Sequence, residues 1–306
     1  MSSKKVVQAS RPSRSSVAPA PLDRLSDVLD RFRVRAHLFH TGPMCGISNF
    51  DARPGRAFLH VLRRGTLRVT HPRLPGLRRE LRLSEPALLL YPRAVAHVFH
   101  NLPREGSDFT CATLDFEGGD RHPLVAALPP LVTVPLRRVE GLEPALDLLF
   151  SETDRVRCGA RLLADRLFEV VLIQVLRWLL DHPEEAGVSA GLVAGMSDAR
   201  LARALVAIHR VPAHAWSVES MAREAGMSRA AFAAAFRSVV GRTPVDYLTD
   251  WRLTVALDAL RARRPVKVVA GEVGYGSAAA LSKAFRERLG ASPRHLLALE
   301  GPSARR

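Results

Sequence analysis

The sequence predicts an α+β, multidomain chain: a jelly-roll β-barrel and a helical segment, then an all-α domain built on a repeated pair of helices. Three observations lead there. At 306 residues the chain exceeds a single core of typical size, so two domains are expected. Before about Val134, strand-sized apolar runs alternate with Gly, Pro and Asn turns; after it, apolar residues recur at three- and four-residue steps. Lastly, GMSRAAFAAAFRSVVGRTP returns about 49 residues later as GYGSAAALSKAFRERLGASP.

Taken in order, residues 1–21 are basic and Ser/Pro-rich and lack the apolar run of a signal peptide, so they predict a disordered arm. Pro21–Phe32 reads as a short amphipathic helix. The pieces VRAHLFHTGP, AFLHVLRRGTLRVTHP, RELRLSEPALLLYP, AVAHVFHNLP and DFTCATLDFEGG have the length and spacing of barrel strands, which sets a first domain at 22–135. A helical connector, 136–183, contains Gly141–Asp154 and Gly159–Pro183. The second of these is apolar over most of its girth and must pack on both sides, one against the barrel and one against a second subunit. Asp165, Arg166, Glu169 and Arg177 interrupt Leu162–Leu180, which excludes a membrane span there. Residues 184–197 are polar and Gly-containing, as in a linker, and 198–300 read as helix.

Within 198–300 the repeat has internal punctuation. Ser217 N-caps a helix that Gly226 stops; Ser228 caps the next, whose core residues are Phe232, Phe236 and Val239/Val240. Pro265 opens a second pair, Gly274 ends its first helix, and Ser277 caps the next, with Leu281, Phe285 and Leu289 facing the core. Two short helices joined by a Gly-containing turn form a helix-turn-helix, here present twice, with TDWRLTVALDALRARR as the helix between them. The WSVESMAREAGMSR opening, FRSVVGRTPVDYL, WRLTVALDAL and VVAGEVGYGS…LSKAFRERLGASP resemble the DNA-binding domain of the AraC/XylS family, over about Asp198 to Leu297. The resemblance implies two recognition helices in successive major-groove segments of promoter DNA, sequence-specific transcription regulation, and contact with RNA polymerase.

Charge agrees with an anionic partner. The chain carries a net +15 with a pI near 11.1. Residues 198–300 hold 16 Lys/Arg against 9 Asp/Glu. The cations are nearly all arginine, readable as phosphate recognition or as GC-rich coding. The expected DNA-facing positions are Ser228, Arg229, Ala230, Ala233, Ala234 and Arg237 on the first reading helix. On the second they are Ser277, Ala278, Ala279, Ala280, Lys283 and Arg286. The family resemblance implies larger side chains at several of these, including an arginine where Ala234 stands. Alanine packs on a thymine methyl and makes no hydrogen bond to a base edge. Direct readout therefore falls to Arg229 and Lys283, with phosphate contacts and DNA shape supplying the rest.

The N-terminal domain is read from YPRAVAHVFHN, in which Pro92, His97 and Asn101 fit the second cupin motif and Ala94 takes its glycine position. With MCGISNF, FLHVLRRGTL and TCATLDFEGGDRHPLVAALPP, it resembles the cupin-type sensors of AraC-like regulators. Cys45, His60, His97 and Cys111 are the effector or redox candidates, convergent in the barrel mouth and open to an oxidant, an organic effector, a metal or a purely structural role. The three cysteines form no disulfide framework and no CxxC pair. No cofactor or enzymatic activity is expected, and a cytoplasmic homodimer without membrane attachment is. Two alternatives stay open: a cupin metalloenzyme with a helical appendage, although the histidine pair and glutamate of the first cupin motif are missing, and a non-specific nucleoid-type DNA binder.

Overall fold

The computed structural model describes residues 22–101, 106–155 and 157–299; the expected basic arm lies outside them. Among the described residues nine strands form two antiparallel sheets. The larger orders β1 (Val34–Met44), β8 (Ser107–Phe116), β3 (Ala57–Arg64), β6 (Ala87–Tyr91) and β9 (Val132–Pro135). The smaller orders β2 (Gly46–Phe50), β7 (His97–Asn101), β4 (Leu67–Thr70) and β5 (Glu80–Leu83). This is the expected cupin-like barrel.

Strand alternation divides the larger sheet into two apolar faces. Phe58, Leu62, Leu89, Tyr91, Phe109 and Cys111 point inward, where they meet Leu67, Val69 and Phe99 of the smaller sheet. Leu59, Val61, Leu88, Leu90, Ala112 and Leu114 point outward into a second cluster shared with the helices. Both faces are covered, so these strands read as continuous hydrophobic runs.

Short helix α1 (Ser26–Leu29) precedes the barrel. It is four residues long, not the twelve that periodicity suggested, because Asp23 accepts from the Leu25 and Ser26 backbone N–H groups and starts the turn late. α2 (Pro123–Ala127) bridges β8 and β9. α3 (Leu142–Thr153) and α4 (Ala160–Asp181) cover the outer face. The acidic residues that interrupt α4 have a structural use: β1 is an edge strand, Asp165 accepts from the Leu38 N–H at 2.7 Å, and Glu169 accepts from the Ala36 N–H at 3.4 Å.

The C-terminal part comprises α5 (Leu192–Ser197), α6 (Ala199–Arg210), α7 (Val218–Ala225), α8 (Arg229–Val240), α9 (Pro244–Arg261), α10 (Val266–Glu272), α11 (Ala278–Leu289) and α12 (Pro293–Leu299). The stretch read as a linker contains α5, whose Leu192, Val193 and Met196 are buried. A Cβ on Gly195 would lie 2.8 Å from both Leu205 and Val240, so glycine lets α5 approach α6 and α8 closely. One hydrophobic cluster runs without a break from Leu25 and Phe32 through the barrel's outer face and α4 to Trp251 and Phe285. At the seam the Phe32 ring stands edge-on to Trp251, centroids 5.5 Å apart.

Candidate nucleic-acid interface

Each reading helix is set by local chemistry. In the first unit Ser217 and Ser220 form a reciprocal capping box, and Gly226, at φ 66°, stops α7 in the left-handed conformation. The Ser228 hydroxyl accepts from the Ala231 N–H to start α8. In the second, Gly274 at φ 86° turns the chain after α10, and the Ser277 hydroxyl accepts from the Ala280 N–H to start α11. Phe232, Phe236 and Val240 are buried on α8, as are Leu281 and Phe285 on α11. Leu289, expected on the core stripe, is exposed because it closes the last turn of α11 beside Gly290.

Of the expected DNA-facing residues, Ser228, Arg229, Ala230, Ala234, Arg237, Ser277, Ala279, Ala280, Lys283 and Arg286 are exposed, and Ala233 and Ala278 are partly covered. Glu219 lies 3.8 Å from Arg229 and Glu287 3.7 Å from Lys283. Both pairs are solvent-exposed and weak, and leave the cations available to phosphate or base.

The two units are joined by more than α9 alone, which starts at Pro244, earlier than the sequence suggested. Asp250 of α9 accepts from Arg242, just after α8, and from Arg288 of α11 through Nε at 2.5 Å and a terminal nitrogen at 3.0 Å. Arg288 also pairs with Asp246 at 3.1 Å, and these carboxylates raise the guanidinium pKa. Arg252 donates to the Pro212 and His214 carbonyls at 2.8 Å and lies over the Tyr275 ring, which ties the second turn to the loop before α7. Sequence reasoning missed this clamp. Its signal was two carboxylates one turn apart, Asp246 and Asp250, on a helix flanked by arginine-rich segments.

Inside the barrel, His60 and His97 meet Nε2 to Nε2 at 3.0 Å. Both are buried among Phe50, Phe58, Tyr91 and Phe99, with Tyr91 stacked on His97 at 4.0 Å. The hydrogen bonds fix the tautomers. His97 Nδ1–H donates to the Val95 carbonyl at 2.9 Å, so its Nε2 accepts from His60 Nε2–H, and the buried His60 Nδ1 is left with a lone pair and no partner. Burial first, then the neighbouring imidazole, holds His60 well below the usual histidine range; burial pushes His97 down to about 4.

Cys111 faces His60 across β3 and β8 and is fully buried, which raises its thiol pKa and keeps it protonated. Cys45 is exposed, at the turn between β1 and β2. Cys111 is paired with His40 and Ser107 with Met44 in the β1–β8 register. Cys45 is therefore about five residues, roughly 17 Å, along the strand from Cys111. His60, His97 and Cys111 are brought together, and Cys45 is not. No three His, Cys, Asp or Glu side chains gather to hold a metal among the described residues, nor is any described helix long and apolar enough to cross a membrane.

Comparison with known proteins agrees with both halves. A cupin family profile matches residues 23–181, and a helix-turn-helix domain profile matches residues 221–298. A putative AraC-like transcription regulator of Streptomyces lividans is 31% identical, the match covering 89% of this chain and 97% of the relative. Another, of Streptomyces antibioticus, is 39% identical over 173 residues, so the match spans only about half (56%) of either chain. Among solved structures, the DNA-binding domain of AdpA in complex with a target DNA is 32% identical with a TM-score of 0.30, covering 34% of this chain and 93% of that one.

Proposed function

Because this chain belongs to the AraC-like transcription regulators, DNA-binding proteins with a helix-turn-helix domain, we propose that it binds promoter DNA sequence-specifically through both reading helices and that its cupin domain modulates this binding in response to a small molecule. The observation that carries the proposal is the paired exposure of α8 and α11, clamped to one long helix by Asp250. Two readers fixed on a common rod suit two major-groove segments about one helical turn apart. Arg229 and Lys283 make the direct contacts; Arg237 and Arg286 flank them and neutralise phosphate.

A small molecule is favoured over a dithiol signal. Cys111 is buried and protonated, and it is too far along the strand from Cys45 to form a disulfide without unpairing β1. The imidazoles of His60 and His97 use their Nε2 atoms on each other, which speaks against the metalloenzyme alternative. The exposed Leu162, Leu163 and Val170 on α4, with Leu148 on α3, support a homodimer face. RNA polymerase and a cytoplasmic setting complete the reading.

The test is capture of fragmented genomic DNA by the full chain in excess random competitor at near-physiological salt. Recovery of a few sites sharing two short boxes supports the proposal. Uniform recovery would favour a nucleoid-type binder, which the alanine-rich reading faces would then explain.

A further inference from the structure

The barrel concentrates arginine on one face. Between Ala52 and Ser84 there are nine arginines and one carboxylate, Glu80. Arg63 and Arg64 are taken by Asp108 and Asp154. Arg53, Arg56, Arg73, Arg78 and Arg79 are exposed and form no ion pair among the described residues. The sheet register adds to the charge: Arg68 of β4 faces Arg82 of β5 on one side and His100 of β7 on the other. Like charges directly opposite one another destabilise a sheet. Glu80, shared by Arg68 at 3.8 Å and Arg82 at 2.8 Å, balances only one of the two. A basic row about 10 Å long therefore crosses three strands on the outer face of the smaller sheet.

The five unpaired arginines stand at one end of the barrel, the end that meets the helical part. Phe50 of β2 pairs with His97 of β7, and Thr70 of β4 with Val98, so the β2–β3 and β4–β5 loops leave the smaller sheet together. The first of these loops leads into Ala57, opposite Leu114 near the end of β8. Just beyond, Gly118 lies against Arg261 of α9, and Phe32 against Trp251. The β4–β5 loop is pinned to the core. Buried His71 donates from Nδ1 to the Arg78 carbonyl at 2.7 Å and accepts the Tyr91 hydroxyl through Nε2 at 2.8 Å. Its backbone N–H donates to the Arg79 carbonyl at 2.9 Å.

We infer that this end of the barrel is a second DNA-contact surface, on which Arg73, Arg78 and Arg79, with Arg53 and Arg56 beside them, take backbone phosphates flanking the segment held by the reading helices. The inference rests on the reading of the chain as a DNA binder. Guanidinium groups on a fixed loop pair with phosphate oxygens and read no base edge. The contact therefore adds affinity and salt dependence without sequence preference. It also gives the barrel its own hold on the duplex, separate from α8 and α11.

The test is equilibrium binding of the full chain to a fluorescent random-sequence duplex of about 40 base pairs, about four helical turns, across a salt series. Two triple variants with equal loss of charge are compared with wild type. One carries Arg73→Ser, Arg78→Ser and Arg79→Ser; the other carries Arg137→Ser, Arg138→Ser and Arg155→Ser on the connector, also at exposed positions. The barrel triple should keep its thermal transition, lower the slope of log affinity against log salt by about 2–3, and weaken binding tenfold or more. The connector triple should change the slope by less than about 1. Equal effects in the two triples, or none in either, overturn the barrel contact while leaving the chain a DNA binder. Wild-type protein that binds no duplex even at low salt removes the DNA-binding reading and this surface with it. Polyglutamate, titrated in parallel, should not distinguish the triples. Its loss from the barrel triple alone, with DNA binding intact, would assign the face to an acidic protein and overturn the inference.

Discussion

Acid should destabilise this protein well before its carboxylates are protonated, and His122 shows why. Its Nε2–H donates to the Phe32 carbonyl at 3.0 Å, and its Nδ1 accepts the Leu124 N–H at 3.2 Å, capping α2. Protonation puts two N–H groups face to face at the helix start, and burial lowers the folded-state pKa to about 4. The unfolded chain has the ordinary value near 6.5 and takes up the proton first. Stability is therefore present above about pH 6.5 and is lost as pH falls toward the folded pKa. From pH 7 to pH 5 the loss is about 2 kcal/mol for this one group. Burial lowers His97 to about 4 and His209 to about 3, which brings the three together to roughly 6 kcal/mol. His60 and His71 add in the same direction. Asp258 opposes them, since burial and then the nearby Glu117 raise its pKa to about 6; being partly exposed, it offsets less than about 1 kcal/mol. The net loss is a large share of the roughly 5–15 kcal/mol that holds a typical domain together. Urea unfolding at pH 7, 6 and 5, followed by tryptophan fluorescence, measures it. His122→Asn keeps a cap and removes the titration, so its loss over the same range should be about 2 kcal/mol smaller. Wild-type stability that is flat to within about 1 kcal/mol would mean that these imidazoles take up protons in the folded protein as readily as in the unfolded chain.

Further outcomes follow from the packing and the reading helices. Gly195→Ala forces a methyl against Leu205 and Val240 and should cost about 1–3 kcal/mol in thermal unfolding, whereas a neutral result would show that α5 can retreat. Ser277→Ala removes the cap of α11 and should cost about 1 kcal/mol while weakening DNA binding, with Ser277→Asn restoring both. Leu163→Asp should turn a sedimenting dimer into monomers; an unchanged sedimentation coefficient in a wild-type monomer would confine α4 to its own barrel.

The C-terminal part was legible because its information is local. Ser217, Gly226, Ser228, Gly274 and Ser277 punctuate the helices through bonds to residues three or four away, and the repeat doubles the signal. The barrel was legible as strands, and His60, His97 and Cys111 as candidates for one site, but the direct contact of the two imidazoles was not, because it depends on two sheets closing over residues 37 positions apart in the chain. Cys45 looked like a partner for the same reason: spacing along the chain does not report the β1–β8 register. The α5 helix escaped because its start, Gly191, resembles linker sequence, while what holds it is burial against α6 and α8. The Asp250 clamp escaped because its arginines lie 8 and 38 residues away.

Hydroxyl-radical footprinting on a captured site tests directly whether the two readers are fixed on one rod. Wild-type protein should protect two patches on one face of the duplex about one helical turn apart. Arg229→Ala should lighten one patch and Lys283→Ala the other. A single protected patch, or two that fade equally in both variants, would contradict it.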